Sequence, residues 1–190
     1  VEQKDWKGFE VMLKMETLFL LFGLAFFAQI VGTVAGFGSS TIFLPLSLFF
    51  IDFHFAIVLT AIFHLFGNLS KIVLFKKGLV KNLALKFGIP SIILAFFGAI
   101  ITNFVSSDLL KLILGTFLVL YIFYSFFKPS FSINQSTKNS IIGGSLSGFF
   151  AGIIGTGGAI RGAFLTSFNL EKTKYIATSA AIAFAIDITR

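Results

Sequence analysis

The 35 residues from Thr17 to Ile51, TLFLLFGLAFFAQIVGTVAGFGSSTIFLPLSLFFI, contain no Asp, Glu, Lys or Arg. A helix needs about 20 largely apolar residues to cross a hydrocarbon core of roughly 30 Å, so this run exceeds one crossing. Its middle departs from a simple span. Gly36, Phe37, Gly38, Ser39 and Ser40 insert small and conformationally free residues between Thr17–Val34 and Thr41–Ile51. The pattern predicts a membrane helix that breaks inside the bilayer and resumes as a shorter one. Two further uncharged runs, Phe87–Ser107 and Asn139–Ile160, have 21 and 22 residues.

The whole chain extends this reading. Of its 190 residues 56% are hydrophobic and 12% charged, with a mean hydropathy of +0.97, whereas a soluble domain carries about a quarter charged residues. The fold class is therefore all-α, a polytopic transmembrane helical bundle in the cell membrane. The formal charge of +7 does not point to nucleic acid, because the basic residues are scattered between apolar runs and form no stripe. With no cysteine, disulfide frameworks, thiolate metal sites and cysteine nucleophiles are excluded. Metal ligands reduce to His54, His64 and a few carboxylates, no Walker A motif is present, and no cofactor is indicated. Residues 1–16 mix Lys4, Lys7 and Lys14 with Glu2, Asp5, Glu10 and Glu16, too acidic for a signal peptide.

Length and flanking charges place the remaining segments. After the broken first segment come Phe53–Phe75, Leu85–Phe104 with Pro90, and Asp108–Phe127 with Asp108 as N-cap. Ile141–Ile154 follows, breaks at Gly155, Thr156, Gly157 and Gly158, and resumes to Phe168. A last segment runs from Lys172 to Arg190. The domain reading is an N-terminal polar segment 1–16, a first transmembrane repeat 17–128, a linker 129–138 and a second repeat 139–190 that is only begun. Lys76, Lys77, Lys81 and Lys86 in one loop, and Lys128 and Lys138 in another, place both loops in the cytoplasm. Residue 1 is Val and Arg190 ends an apolar run, so the chain is expected to be part of a protein of about 250 residues built from two repeats.

The repeat shows when the chain is slid over itself by 119 residues without a gap. Gly36 meets Gly155, Gly38 meets Gly157, Thr60 meets Ser179, Asn68 meets Asp187 and Lys71 meets Arg190. Shared Gly, Leu and Ala are common in such a composition. The Gly breaks, the hydroxyl pair and the polar-then-basic ending nonetheless recur in one register, and secondary transporters are commonly built from such repeats.

The run GSLSGFFAGIIGTGGAIRGAFLTSFNLEKTKYIATSAAIAFAIDITR, Gly144–Arg190, resembles the sulfite exporter TauE/SafE family of membrane permeases. GTVAGFGSSTIFLPLSLFF, Gly32–Phe50, supplies the first-half break with Pro45, and ATSA, Ala177–Ala180, the second-half signature. Departures are Ser39 and Ser40 where glycines are usual, Phe164 in place of the second-half Pro, and Leu59, Thr60, Ala61 in place of Ala-Thr-Ser. The resemblance covers roughly 17–190 and implies two related halves, missing final helices and transport of sulfite, an organosulfonate or another small anion. It does not carry the substrate across.

A break within lipid frees backbone N–H and C=O groups that only protein or a water-lined cavity can satisfy. The half-helix that restarts there turns its positive dipole end toward that cavity. This makes Gly36, Gly38, Ser39, Ser40, Gly155, Thr156, Gly157, Gly158 and Arg161 candidate anion-binding residues, although the glycines equally suit close helix packing. Arg161 has only apolar neighbours, and a guanidinium at that depth costs at least ~2.5 kcal/mol. A carboxylate such as Asp187, an anionic substrate, or snorkelling to a headgroup offsets this. Thr60, Thr178 and Ser179 either donate to substrate or bond back to the preceding turn. His64, Asn68, Asp187 and Arg190 are candidates for coupling or gating; Asp187 and Arg190 equally suit a structural i,i+3 pair. Lys71 and His54 are weaker candidates, and Trp6, Tyr121, Tyr124 and Tyr175 read as interface anchors.

The leading expectation is a secondary permease for a small anion, working by alternating access, with the lipid bilayer as its other partner and a homo-oligomer left open. A passive channel on the same breaks is the alternative. A remote one is an intramembrane serine hydrolase using Ser39 or Ser40 with His64, which needs hydrogen-bond reach and an oxyanion hole.

Overall fold

The computed structural model describes residues 15–127 and 133–190, so Trp6, Lys128 and residues 129–132 of the expected linker lie outside it. The described residues form helices and no strands. Helix α1 is Met15–Ala35, α2 Ser40–Ser47, α3 Phe53–Phe75, α4 Lys81–Thr102 and α5 Ser107–Phe127. After residue 132 come α6 Thr137–Ile154, α7 Gly158–Ser167 and α8 Lys172–Thr189. A 3₁₀ turn, Lys76–Gly78, links α3 to the approach of α4. Four helices, α1, α3, α4 and α5, are long and apolar enough to cross a membrane. The all-α, multi-pass reading stands.

The boundaries follow local chemistry. Asp52 caps α3 by accepting from the Phe55 N–H at 3.1 Å, and Ser136 caps α6 through Asn139. Helix α5 starts one residue before the expected cap: the Ser106 hydroxyl accepts from the Leu109 N–H, which leaves Asp108 in the first turn. Helix α4 begins at Lys81, not Leu85, because the Thr178 hydroxyl from α8 receives the Val80 N–H at 3.1 Å. Helix α2 stops at Ser47, short of Ile51, and residues 48–50 form a turn before the Asp52 cap.

Long helix, break, short helix, long helix is the order of both α1–α3 and α6–α8. The two units run in opposite directions. Leu21 of α1, Phe43 and Leu44 of α2, Phe53 of α3 and Ile154 of α6 share one apolar cluster near one end of the bundle. Leu83, Phe87, Leu165 and Phe168 share a second cluster toward the other end. That second end carries Lys76, Lys77 and Lys81, with α8 starting beside them, since Gly78 packs on the Thr173 backbone. His54 and Ser107, 3.2 Å apart, mark the opposite end.

The tightest seam joins α4 to α6. Gly144, Gly148 and Gly152 recur every four residues on α6, and a methyl at any of them would overlap the carbonyl oxygen of Phe87, Ser91 or Ala95 respectively. Small residues let helix backbones approach this closely where lipid supplies no hydrophobic drive. Because 87, 91 and 95 rise with 144, 148 and 152, the two helices run parallel, and Lys138 joins the lysine-rich end. The Ser91 hydroxyl bonds the Gly144 carbonyl at 2.9 Å, and the Thr102 hydroxyl reaches the Gly152 carbonyl at 3.2 Å.

Gly148→Leu should therefore destabilise the bundle by at least about 1–3 kcal/mol, the usual cost of overpacking. Gly115→Leu on α5, where nothing lies within 4 Å, should leave the thermal midpoint in detergent nearly unchanged. Equal midpoints for the two variants would remove the seam from this account.

Candidate functional site

The site is built where the two breaks pass each other. Gly36 and Gly38 adopt φ of +80° and +90°, backbone geometry that L side chains resist. A Cβ on Gly38 would sit 2.8 Å from Gly158 Cα, so the two glycines face each other directly. Gly162 lies against the Gly36 carbonyl, and the Ser40 hydroxyl donates to Thr156 Oγ1 at 3.2 Å. Residues 36–40 thus run antiparallel to residues 162–156. Gly155, with φ of +73°, ends α6 in the left-handed conformation typical of helix C-caps.

A cavity of about 40 Å³ opens beside this crossing, lined by Gly36, Gly38, Ser39, His64, Asn68 and Lys71 from the first unit and by Gly158, Arg161, Tyr175 and Ser179 from the second. Since a water needs roughly 10–15 Å³ on this scale, the space suits a few waters or one small polyatomic ion. Arg161 Nε donates to the Ser179 hydroxyl at 3.0 Å. Among the described residues no carboxylate lies within ion-pair distance of Arg161 or Lys71. Two basic side chains therefore line the cavity with no ion-pair partner among the described residues.

The carboxylate of the region is committed elsewhere. Asp187 Oδ1 receives Arg190 at 3.0 Å from Nε and 2.8 Å from Nη2. Its Oδ2 accepts from Asn68 Nδ2 at 3.3 Å and lies 3.5 Å from His64 Nδ1. His64 Nε2 is 2.9 Å from the Ser39 hydroxyl, which donates to Gln29 Oε1. Ser39, His64, Asn68 and Asp187 are all buried. A charged or polar cluster at this depth persists when its members pair with one another.

Several expectations change here. The Arg161–Asp187 pair does not form, because Arg190, one turn along the same helix, already holds the carboxylate. Thr60 is fully buried, bonds back to the Ala56 carbonyl at 2.6 Å and does not line the cavity. Thr178 is likewise outside it, accepting from the Val80 N–H. Ser179, Gly36, Gly38, Ser39 and Gly158 do line it. Ser40, Gly155, Gly157 and Arg190 border a smaller neighbouring cavity of about 10 Å³ with Asp187, and Thr156 bridges the breaks through Ser40. Tyr175 is not an interface anchor: its hydroxyl donates to the Gly36 carbonyl, fixing the first break from α8. Gln29, which the sequence reading did not single out, braces Ser39 and packs its amide over Gly67. An amide in the middle of an uncharged run was the available signal.

The sulfite exporter TauE/SafE family model matches residues 21–190, nearly all the described chain. This chain belongs to that family. A probable membrane transporter protein of Methanocaldococcus jannaschii is 29% identical over 170 residues, covering 80% of this chain. The alignment covers 61% of that relative, so the chain spans about three fifths of its length. No solved structure matches. The family departure at Phe164 has a local structural account: its ring covers Gly143 and meets Phe87 edge-on, with centroids 6.5 Å apart.

If the crossing depends on backbone contact, Gly38→Ala should cost about 1–2 kcal/mol from the left-handed backbone alone, plus the overlap with Gly158. Gly23→Ala, with nothing within 4 Å, serves as the matched control. The readout is thermal stability in detergent, and a Gly38→Ala midpoint equal to the control would contradict the geometry.

Proposed function

We propose that the protein is a secondary permease for a small anion, moving it by alternating access through the crossing of the two breaks. The observation that carries this reading is the pair of basic side chains, Lys71 and Arg161, that line one small cavity with no ion-pair partner among the described residues and with the hydroxyls of Ser39 and Ser179 beside them. Two positive charges in the interior of a bilayer-spanning bundle are costly until an anion joins them. A guanidinium fork anchored through Nε leaves its terminal N–H groups for a planar or pyramidal oxyanion. The restart of α7 at Gly158 adds a helix N-terminus at the same point. The size of the cavity favours sulfite or the head of an organosulfonate over a bulky solute. Membership of the sulfite exporter TauE/SafE family and the printed name of the archaeal relative support transport as the activity.

The Ser39–His64–Asp187 alignment gives the hydrolase reading one observation in its favour. The hydroxyl hydrogen of Ser39, however, goes to Gln29 and not to His64, whereas nucleophilic activation needs the base to receive it. The arrangement supports a structural and conductive role for Ser39 better than catalysis.

Reconstituted intact protein should carry sulfite, and Arg161→Ala should abolish that flux while membrane insertion persists. Arg161→Lys should retain part of it, since charge remains and the fork is lost. Normal flux in Arg161→Ala would overturn the anion role. Passive conduction unaffected by a second anion on the far side would favour a channel. Incubation with a fluorophosphonate should leave Ser39 unmodified; labelling that Ser39→Ala removed would revive the hydrolase.

A further inference from the structure

The two neighbouring cavities are related by the 119-residue offset that relates the two breaks. Where the larger cavity has Gly36, Gly38 and Ser39, the smaller has Gly155, Gly157 and Gly158. Where the larger has His64, Asn68 and Lys71, the smaller has Ala183, Asp187 and Arg190. His64, Gly158 and Arg161 border both, so they form the partition between them. Tyr175, near the start of α8, lines the larger cavity, and Arg190, at its end, lines the smaller. Ala180 of the larger and Ala183 of the smaller are only about 4.5 Å apart along the same helix, so the cavities adjoin, the larger nearer the lysine-rich start of α8 and the smaller nearer its other end.

Their cations are held differently. In the larger cavity Lys71 is without a carboxylate among the described residues. In the smaller, Arg190 is held by Asp187, its side chain 2% exposed, and its Nη1 reaches the Ala151 carbonyl at 3.2 Å. Asn68 and Asp187 are offset counterparts, yet they hydrogen-bond each other directly at 3.3 Å. A contact between equivalent positions lies on the axis that relates two inverted units. Lys71 follows Asn68 by three residues as Arg190 follows Asp187 by three, so each cation is one turn from this central pair. The single carboxylate on the axis is placed to serve either cation.

Resting on the permease reading, we infer that Asp187 is a shared latch: it holds Arg190 and shuts the smaller, repeat-equivalent anion cavity in the state seen here, and in the opposite state it takes Lys71 and frees Arg190 for the anion. No second acid is needed, because Asn68 occupies the place where one would make both cavities shut together. The ligand of the second cavity is the same class of small oxyanion, met there by Arg190 and Arg161.

The absence of cysteine from the sequence makes side-specific thiol labelling the test. Single reporters Ala180→Cys, in the larger cavity, and Ile186→Cys, in the smaller, are exposed in right-side-out and inverted vesicles to methanethiosulfonate ethylsulfonate, an impermeant anionic reagent. With the latch intact, Ala180→Cys should label from the lysine-rich face and Ile186→Cys hardly at all. Arg190→Gln frees Asp187 for Lys71, so Ile186→Cys labelling from the other face should rise at least about tenfold while Ala180→Cys labelling falls, given the strength of buried pairs. Asp187→Asn should open the smaller cavity without closing the larger. The double variant Asp187→Asn with Arg190→Gln, which removes both members of the ion pair together, covers the case in which Asp187→Asn fails to fold, and should label like it. Unchanged Ala180→Cys labelling in Arg190→Gln, or labelling of both reporters from one face, would overturn the latch. Sulfite flux in the parent separates the two readings: flux without a labelling shift defeats the latch alone, and a labelling shift without flux of any anion defeats the permease.

Discussion

Backbone polarity inside a hydrocarbon layer is the constraint on which this structure depends. Each break releases N–H and C=O groups that lipid cannot satisfy, and the solution is to lay one break against the other. Gly38 against Gly158 and Gly162 against the Gly36 carbonyl put the least protected stretches of chain where each shields the other. Tyr175 and Ser147 complete the protection, the first through the Gly36 carbonyl and the second through the Gly157 carbonyl at 3.0 Å. Ser39, Gly158 and Arg161 of the candidate site are carried on the two stretches that cross.

Charge then sorts itself around the crossing. The bundle has one face rich in lysine, and its interior holds few ionisable groups: His64, Lys71, Arg161, Asp187 and Arg190. One carboxylate among three basic side chains leaves a positive excess among the described residues. Asp187 is drawn to Arg190 because both sit on α8 with the geometry of an i,i+3 pair. Arg161, on α7, donates instead to the Ser179 hydroxyl. The imbalance follows from which helix each charge occupies, and it is what the anion proposed above would offset.

Much of the architecture was legible because lipid imposes long uncharged runs. Phe53–Phe75 was bounded correctly, since Asp52 caps the helix and Lys76 follows its end. Lys81 and Lys86 read as loop residues yet lie in α4: charge marks where the chain leaves the hydrocarbon, and helix continues beyond that level. The Gly144, Gly148, Gly152 stripe escaped notice because glycine is common in this composition and only a partner helix gives the spacing meaning. Tyr175 was misread for a related reason, an aromatic near a helix start being indistinguishable from an interface anchor until its acceptor is known. The offset of 119 brought Asn68 and Asp187 into register, but their direct contact is a three-dimensional fact that no alignment of one half upon the other contains.

The α4–α6 seam has a mechanical consequence. It joins a helix that follows the first break to one that precedes the second, and its backbones touch with no side chains between them to slide or repack. Such a joint behaves as a spar: rigid along its length and intolerant of shear. In the permease proposed above, a rearrangement that exchanges access between the two cavities would hinge around α4 and α6 as one body. The boundary between moving parts would then cut across the two sequence halves and not fall between them.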